Sequence, residues 1–112
     1  SLVNARAIAE YTIETQPEVV SIVSMGWNAK EETPEDELCA EYIKSILDGE
    51  ELTNMDERVA ALRLHGGEHF FNPDTQENFP EGDFWMCIKY DLLPYVLEIT
   101  KDELGFVTKR IR

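Results

Sequence analysis

Basic residues are scarce in this sequence. Lys and Arg number 10 against 23 Asp and Glu, a formal net charge of −13. A protein that binds nucleic acid or an anionic membrane carries a basic face, and here only Lys109, Arg110 and Arg112 cluster, at the tail. Neither partner is expected. Cysteine is nearly absent: Cys39 and Cys87 are the two present. Each sits in an apolar stretch of helical spacing, which predicts buried, reduced thiols in a cytoplasmic protein and argues against a disulfide framework. No apolar run reaches the roughly 20 residues of a membrane-spanning helix, and no secretory leader pattern opens the chain. Internal repeats and low-complexity tracts are lacking as well. What is left is one acidic globular domain of 112 residues, with enough chain for a core of its own.

The most informative stretch is residues 19–47. Val19, Val20, Ile22 and Val23 form a β-branched run of the kind found in a strand covered on both faces. Met25-Gly26-Trp27 closes it. Helix entry follows, with Thr33 as N-cap, Pro34 at the first helical position and Asp36 three residues after the cap. Leu38, Cys39, Tyr42, Ile43, Ile46 and Leu47 keep helical spacing, opposite Glu37, Glu41, Lys44 and Asp48. In open α/β sheets, ligands bind beyond the carboxyl ends of strands, and the Gly26 loop is the segment predicted to lie there.

The rest of the chain supplies mostly helices. Residues 1–16 read as a helix capped by Asn4, with Ala7, Ile8 and Tyr11 on one face and Pro17 forcing the exit. A third helix is predicted to begin at a cap near Thr53 or Asn54 and to run to about Leu64, packing through Met55, Val59 and Leu62 before Gly66-Gly67. Phe70 and Phe71 suggest a short strand. Residues 83–89 suggest one or two helical turns with Phe84, Cys87 and Ile88 inward. Residues 95–101 and 106–111 read as two strands around a four-residue connection, Asp102-Glu103-Leu104-Gly105. The expected class is α/β, with helices on a small mixed sheet made of the buried strand and the hairpin. A doubly covered strand needs more neighbours than this, so the sheet is expected to be part of a larger three-layer α/β/α fold. A chain that opens on Ser1 already in helix is expected to be a processed chain or an excised piece. In that case apolar residues such as Val3, Ile8 or Ile13 should be left uncovered, or covered by a second copy.

Glu35, Asp36 and Glu37 are the group with most chemical potential. Carboxylates at the mouth of a strand crevice suit Mg²⁺, which takes one or two of them with waters and substrate oxygens. First-turn acids also complement the helix dipole with no ligand involved. His65 and His69 flank Glu68 at metal-pair spacing, but Gly66-Gly67 should break the helix that would align them. Cys39 in an acidic helix reads as a packing residue and not as a nucleophile. No phosphate-cradling glycine loop and no nucleophile elbow occurs. Trp27 and Trp85 fit either core or pocket wall.

The series Asn4-Ala5-Arg6-Ala7-Ile8-Ala9, Met25-Gly26 and Glu35-Asp36-Glu37-Leu38-Cys39-Ala40-Glu41-Tyr42 resembles the 2-phosphosulfolactate phosphatase family. Phe70-Phe71-Asn72-Pro73 and Phe79-Pro80-Glu81-Gly82-Asp83-Phe84 with Cys87 extend the resemblance through the family's C-terminal half. It implies a Mg²⁺-dependent hydrolase that converts 2-phospho-3-sulfolactate to sulfolactate and phosphate, on the route to coenzyme M and related sulfonates. It also implies Glu35 and Asp36 near the metal and Gly26 in the loop that admits ligand. Family members are about twice this length, so the resemblance implies a missing N-terminal half, or a second copy in a homodimer, as partner. The substrate is small, phosphorylated and anionic. The cationic groups that phosphoryl transfer needs would come from that partner, and this piece alone is expected to be inactive. The rival expectation is a non-catalytic acidic α/β domain with an interaction or regulatory role.

Overall fold

The capped amphipathic stretch folds as its periodicity demands, and the remaining elements gather on it. In the computed structural model, which describes residues 1–112, helix α2 spans Pro34–Leu47. Leu38, Tyr42 and Ile43 are buried on one stripe, with Cys39, Ile46 and Leu47 packed at its margins. Thr33 holds the N-cap position with an extended backbone, yet its hydroxyl receives no helix N–H. That hydroxyl is buried without a partner. Expected capping by Thr33 is therefore met by backbone geometry alone.

Helix α1 (Ala5–Thr15) follows a 3-10 turn at Leu2–Asn4 and packs against α2. Its inward face is Leu2, Ala5 and Ala9, all buried, and not the expected Ala7, Ile8 and Tyr11, which are half-buried. The pitch is set by Leu2 filling the core at three- and four-residue spacing with the small residues. Asn4 does not cap; its side-chain amide donates to the Tyr95 carbonyl at 3.2 Å. Ile13 is 50% exposed.

Helix α3 (Met55–Ala61) buries Met55 and Val59, and Leu62 just beyond it, as expected. It stops short of Leu64 because the chain turns back, the Gly67 N–H donating to the Leu62 carbonyl at 2.8 Å. A Cβ on Gly67 would lie 2.6 Å from the Phe84 ring, so only glycine lets that ring seat against the backbone. The strand expected at Phe70 and Phe71 is instead a 3-10 helix, Glu68–Phe71. Side chains curl it: the Gln76 amide donates to the Phe70 and Asn72 carbonyls, and the Thr75 hydroxyl to that of His69. Helix α4 (Glu81–Cys87) starts earlier than expected because the side-chain oxygen Oε1 of Gln76 accepts the Glu81 N–H. Phe84 is its buried residue, Ile88 is half-buried and Cys87 is exposed. The expectation of two buried thiols is not met: Cys39 is half-buried, and Cys87, at the helix end beyond the packed stripe, is exposed.

Strands β1 (Leu97–Asp102) and β2 (Gly105–Arg110) form an antiparallel hairpin, the whole of the sheet. The connection tightens to Glu103-Leu104, because Asp102 pairs with Gly105. The α/β class thus holds, with four helices and one two-stranded sheet. The buried strand at residues 19–23 does not form. Val19 and Val23 are 79% and 75% exposed. A strand exists only by pairing, and both strands of the chain are already paired to each other. No helix is long and apolar enough to cross a membrane.

One polar network ties the two ends of the fold together. Asp91 accepts the Arg6 backbone N–H at 2.9 Å through Oδ1 and the Arg6 guanidinium at 3.2 Å through Oδ2. The Tyr42 hydroxyl donates to the same Oδ2 at 2.5 Å and accepts from Arg6 Nη2 at 2.9 Å. Arg6 also pairs with Glu51. Asp91 itself adopts φ 54°, and its N–H reaches the Leu2 carbonyl at 3.0 Å. Burial, then the bond to Asp91, pushes the Tyr42 phenol well above its ordinary range.

Two outcomes are expected. Asp91→Ala removes an acceptor shared by three donors and places alanine at positive φ, so it should cost about 2–4 kcal/mol in a urea melt. Asp91→Asn, which keeps an acceptor and tolerates that backbone, should cost less. Because folding raises the Tyr42 pKa, the unfolded chain releases that proton first as pH rises. The stabilisation is full below about pH 10, where a free phenol titrates, and fades above it. Thermal melts across that range should show a fall in Tm that is shallower in Tyr42→Phe; an identical slope would refute the assignment. Tyr90, raised by its bond to Asp56, accounts for a residual slope of the same sign.

Candidate functional site

The first turn of α2 faces the loop that precedes it. The Gly26 N–H donates to Asp36 Oδ2 at 2.7 Å, and the Ser24 hydroxyl lies 3.5 Å from the Asp36 carbonyl oxygen. Asp36 is thus the latch that fixes the end of residues 19–25 against the helix. The loop then doubles back: the Trp27 N–H donates to the Glu31 carbonyl at 2.9 Å, closing an antiparallel bridge. Gly26, Asn28 and Ala29 all take positive φ inside it. A Cβ on Gly26 would fall 1.9 Å from the Glu31 oxygen, so the position accepts glycine only.

Beside this latch is a cavity of about 610 Å³ lined mainly by apolar side chains. Ile22, Val23 and Met25 form one wall, and Cys39, Ala40 and Ile43 of α2 another. Glu35 and Asp36 stand on its lining. The structure therefore brings together the two acids singled out from the sequence and places Gly26 next to them. The Glu35 side chain is exposed and makes no hydrogen bond, and Oδ1 of Asp36 is unengaged. Magnesium requires one or two protein carboxylates with waters and phosphate oxygens. Glu35 and Asp36 supply two carboxylates on the lining, and no group of three His, Cys, Asp or Glu comes together to hold an ion unaided.

Other expected participants fall elsewhere. His65 is exposed, while His69 lies among aromatic rings, with centroids 4.2 Å from Phe70, 4.7 Å from Phe79 and 5.9 Å from Trp27. The two do not form a metal pair. Glu68 accepts the Gly66 N–H at 2.8 Å, and its carboxyl lies below the ordinary range because backbone N–H groups hold it. Burial pushes the Cys39 thiol up, which fits a packing residue. The Cys87 thiol is also raised, by burial and by the charges of Asp83 and Glu35. Trp85 is 45% exposed and donates to Glu81, away from the latch. The Gly26–Asp36 bond and the Met86 wall of the cavity were not foreseen. Only the glycine, and the acid at the third helical position, hinted at the first of these.

A family model described as 2-phosphosulpholactate phosphatase matches residues 1–102. A curated relative named probable 2-phosphosulfolactate phosphatase, from a Nostoc species (strain PCC 7120), is 38% identical over 71 residues. That stretch covers 58% of this chain and 29% of the relative, so the chain spans under a third of the length of the curated protein it matches. No solved structure matches. The family match runs through both sides of the Gly26–Asp36 latch and the cavity beside it, and the chain belongs to the 2-phosphosulpholactate phosphatase family.

Proposed function

We propose that these residues form one side of a phosphatase site that hydrolyses 2-phospho-3-sulfolactate to sulfolactate and inorganic phosphate, in sulfonate synthesis of the coenzyme M type. The observation that carries the reading is the Asp36 carboxylate, bound to the Gly26 N–H on the lining of a cavity, within a chain matched by the family model. Glu35 and the free oxygen of Asp36 would help hold Mg²⁺, which when bound offsets phosphate charge and orients the phosphoryl group for attack by water. Asp36 has a second task that needs no metal: it fixes the Gly26 loop, and so the position at which a ligand enters.

The lining supplies no lysine, arginine or histidine. A substrate carrying phosphate, sulfonate and carboxylate groups requires cations near its transferring phosphoryl group. These would come from polypeptide beyond the present chain. The 112-residue chain by itself is accordingly expected to show no turnover of phosphosulfolactate with Mg²⁺, and measurable hydrolysis by it would overturn the half-site arrangement.

In a family-length protein carrying these residues, the two roles of Asp36 separate by substitution. Asp36→Asn keeps an oxygen for the Gly26 N–H but removes the charge. Its melt should stay near wild type, while the Mg²⁺ concentration for half-maximal activity rises about 10-fold or more. Glu35→Gln should behave alike. Asp36→Ala should lose both, with about 1–3 kcal/mol of stability gone as the loop latch opens. Wild-type Mg²⁺ dependence in Asp36→Asn and Glu35→Gln would return this turn to a purely structural role.

A further inference from the structure

We propose that the outer face of the β1–β2 ribbon docks on the same face of a second copy of this chain, the two ribbons lying antiparallel. This inference rests on the hairpin alone and is independent of the phosphatase reading.

The first ground is the way the ribbon alternates. Its register puts Leu97, Ile99 and Lys101 on one face with Phe106, Thr108 and Arg110. Glu98, Thr100 and Asp102 share the opposite face with Gly105, Val107 and Lys109. That second face is turned to the body, since Thr100 and Val107 are half-buried and Val96, which continues it, is buried. The first face is exposed throughout, with Leu97 49%, Ile99 69% and Phe106 77% accessible. An antiparallel sheet covered on one side normally turns its apolar residues inward and its polar ones out. Here the order is reversed, and an apolar face turned outward marks a surface that a partner covers.

The second ground is charge, and it identifies the partner. Residues 1–94 hold 20 of the 23 acids and only 6 of the 10 bases, so most of the surface repels another copy. The ribbon and tail carry Lys101, Lys109, Arg110 and Arg112 against Glu98, Asp102 and Glu103. Two copies therefore meet there at least electrostatic cost. Within the ribbon the signs are also separated. Asp102 and Glu103 lie at the turn, and Lys109, Arg110 and Arg112 at the other end. Arg110 is held in place there, its guanidinium 4.8 Å from the centre of the Tyr95 ring. Face-to-face packing about a two-fold axis across the strands sets each acidic turn against the basic end of the other ribbon. The two Ile99 side chains then meet at the axis, and Phe106 of each copy lies against Arg110 of the other.

The size of the face sets the strength. Six-residue strands are about 20 Å long, and two of them offer well below the roughly 800 Å² per partner of a standard interface. Association is accordingly reversible, with a dissociation constant on the order of 10⁻⁵–10⁻⁴ M.

The test is sedimentation equilibrium of the 112-residue chain over about 5–500 µM in about 0.15 M salt, where charges more than about 8 Å apart are screened. Monomer should pass into dimer across that range. Ile99→Glu and Phe106→Glu alter exposed positions outside the core cluster, so each should keep the wild-type melt. Each brings like charges together in the dimer and should raise the dissociation constant about 10-fold or more. Charge reversal reads the orientation. Glu103 is the acid to change, because the Asp102 carboxylate holds the Leu104 N–H at 2.8 Å. Glu103→Arg and Arg110→Glu should each weaken association about 5-fold, two contacts being lost per dimer. The double variant should return to about the wild-type value. A chain that stays monomeric at the highest concentration would overturn the proposal. So would a dimer that Ile99→Glu and Phe106→Glu leave intact, or a double variant no tighter than its two parents.

Discussion

The carboxylate of Asp91 is the tie on which the arrangement of helices depends. It receives a backbone N–H and the guanidinium of Arg6 at the start of α1, and the hydroxyl of Tyr42 in the middle of α2. Asp91 itself lies beyond α4, and the Leu93 N–H nearby bonds the Val3 carbonyl at 2.9 Å. Three segments distant in sequence thus meet at one partly buried anion. Every donor aimed at it is satisfied, which is what makes such a network favourable at low local dielectric. Tyr42 is 1% exposed, so leaving its hydroxyl unpaired would carry the full cost of desolvation.

The core around this tie is small. Ten buried apolar residues, drawn from the N-terminal turn, all four helices and the turn after α3, make the cluster. The hairpin stands mostly outside it, with Ile99 and Phe106 exposed, and a two-stranded ribbon without a covered face adds little stability of its own. An acidic surface adds to the strain on so small a core. The charge of −13 is offset locally by pairs such as Arg58 with Glu41, and surface pairs contribute little each.

Beside the cavity, one residue joins helix entry to loop architecture. Asp36 lies at the third helical position, where a carboxylate is favoured by the helix dipole and also reaches back to a preceding N–H. Here that N–H belongs to Gly26, ten residues earlier, so a local helix-entry signal fixes a distant loop. The two readings of the acid, as helix stabiliser and as ligand group, are therefore not exclusive. One oxygen holds the loop and the other has no partner within the chain.

Periodicity, turn chemistry and the family motif were legible in the sequence, because each depends on neighbours along the chain. The bounds of α2, the packing of Met55, Val59 and Leu62, and the hairpin at its tail all followed from spacing. Glu35 and Asp36 line one cavity and Gly26 bonds Asp36, a placement that spacing along the chain could not give. What depends on contacts between distant residues was not legible. Arg6, Tyr42 and Asp91 carry no local mark of a shared network, since the residue numbers say nothing of which side chains converge. The 3-10 turn at Phe70 and Phe71 came from Gln76 and Thr75 reaching back to carbonyls, a competition that propensity does not weigh. Residues 19–23 show the division most plainly. Their β-branched sequence specifies a side-chain surface suited to a sheet, but a strand is a pairing. Whether it exists is decided only by the presence of a neighbouring backbone, which the tertiary structure of these residues does not supply.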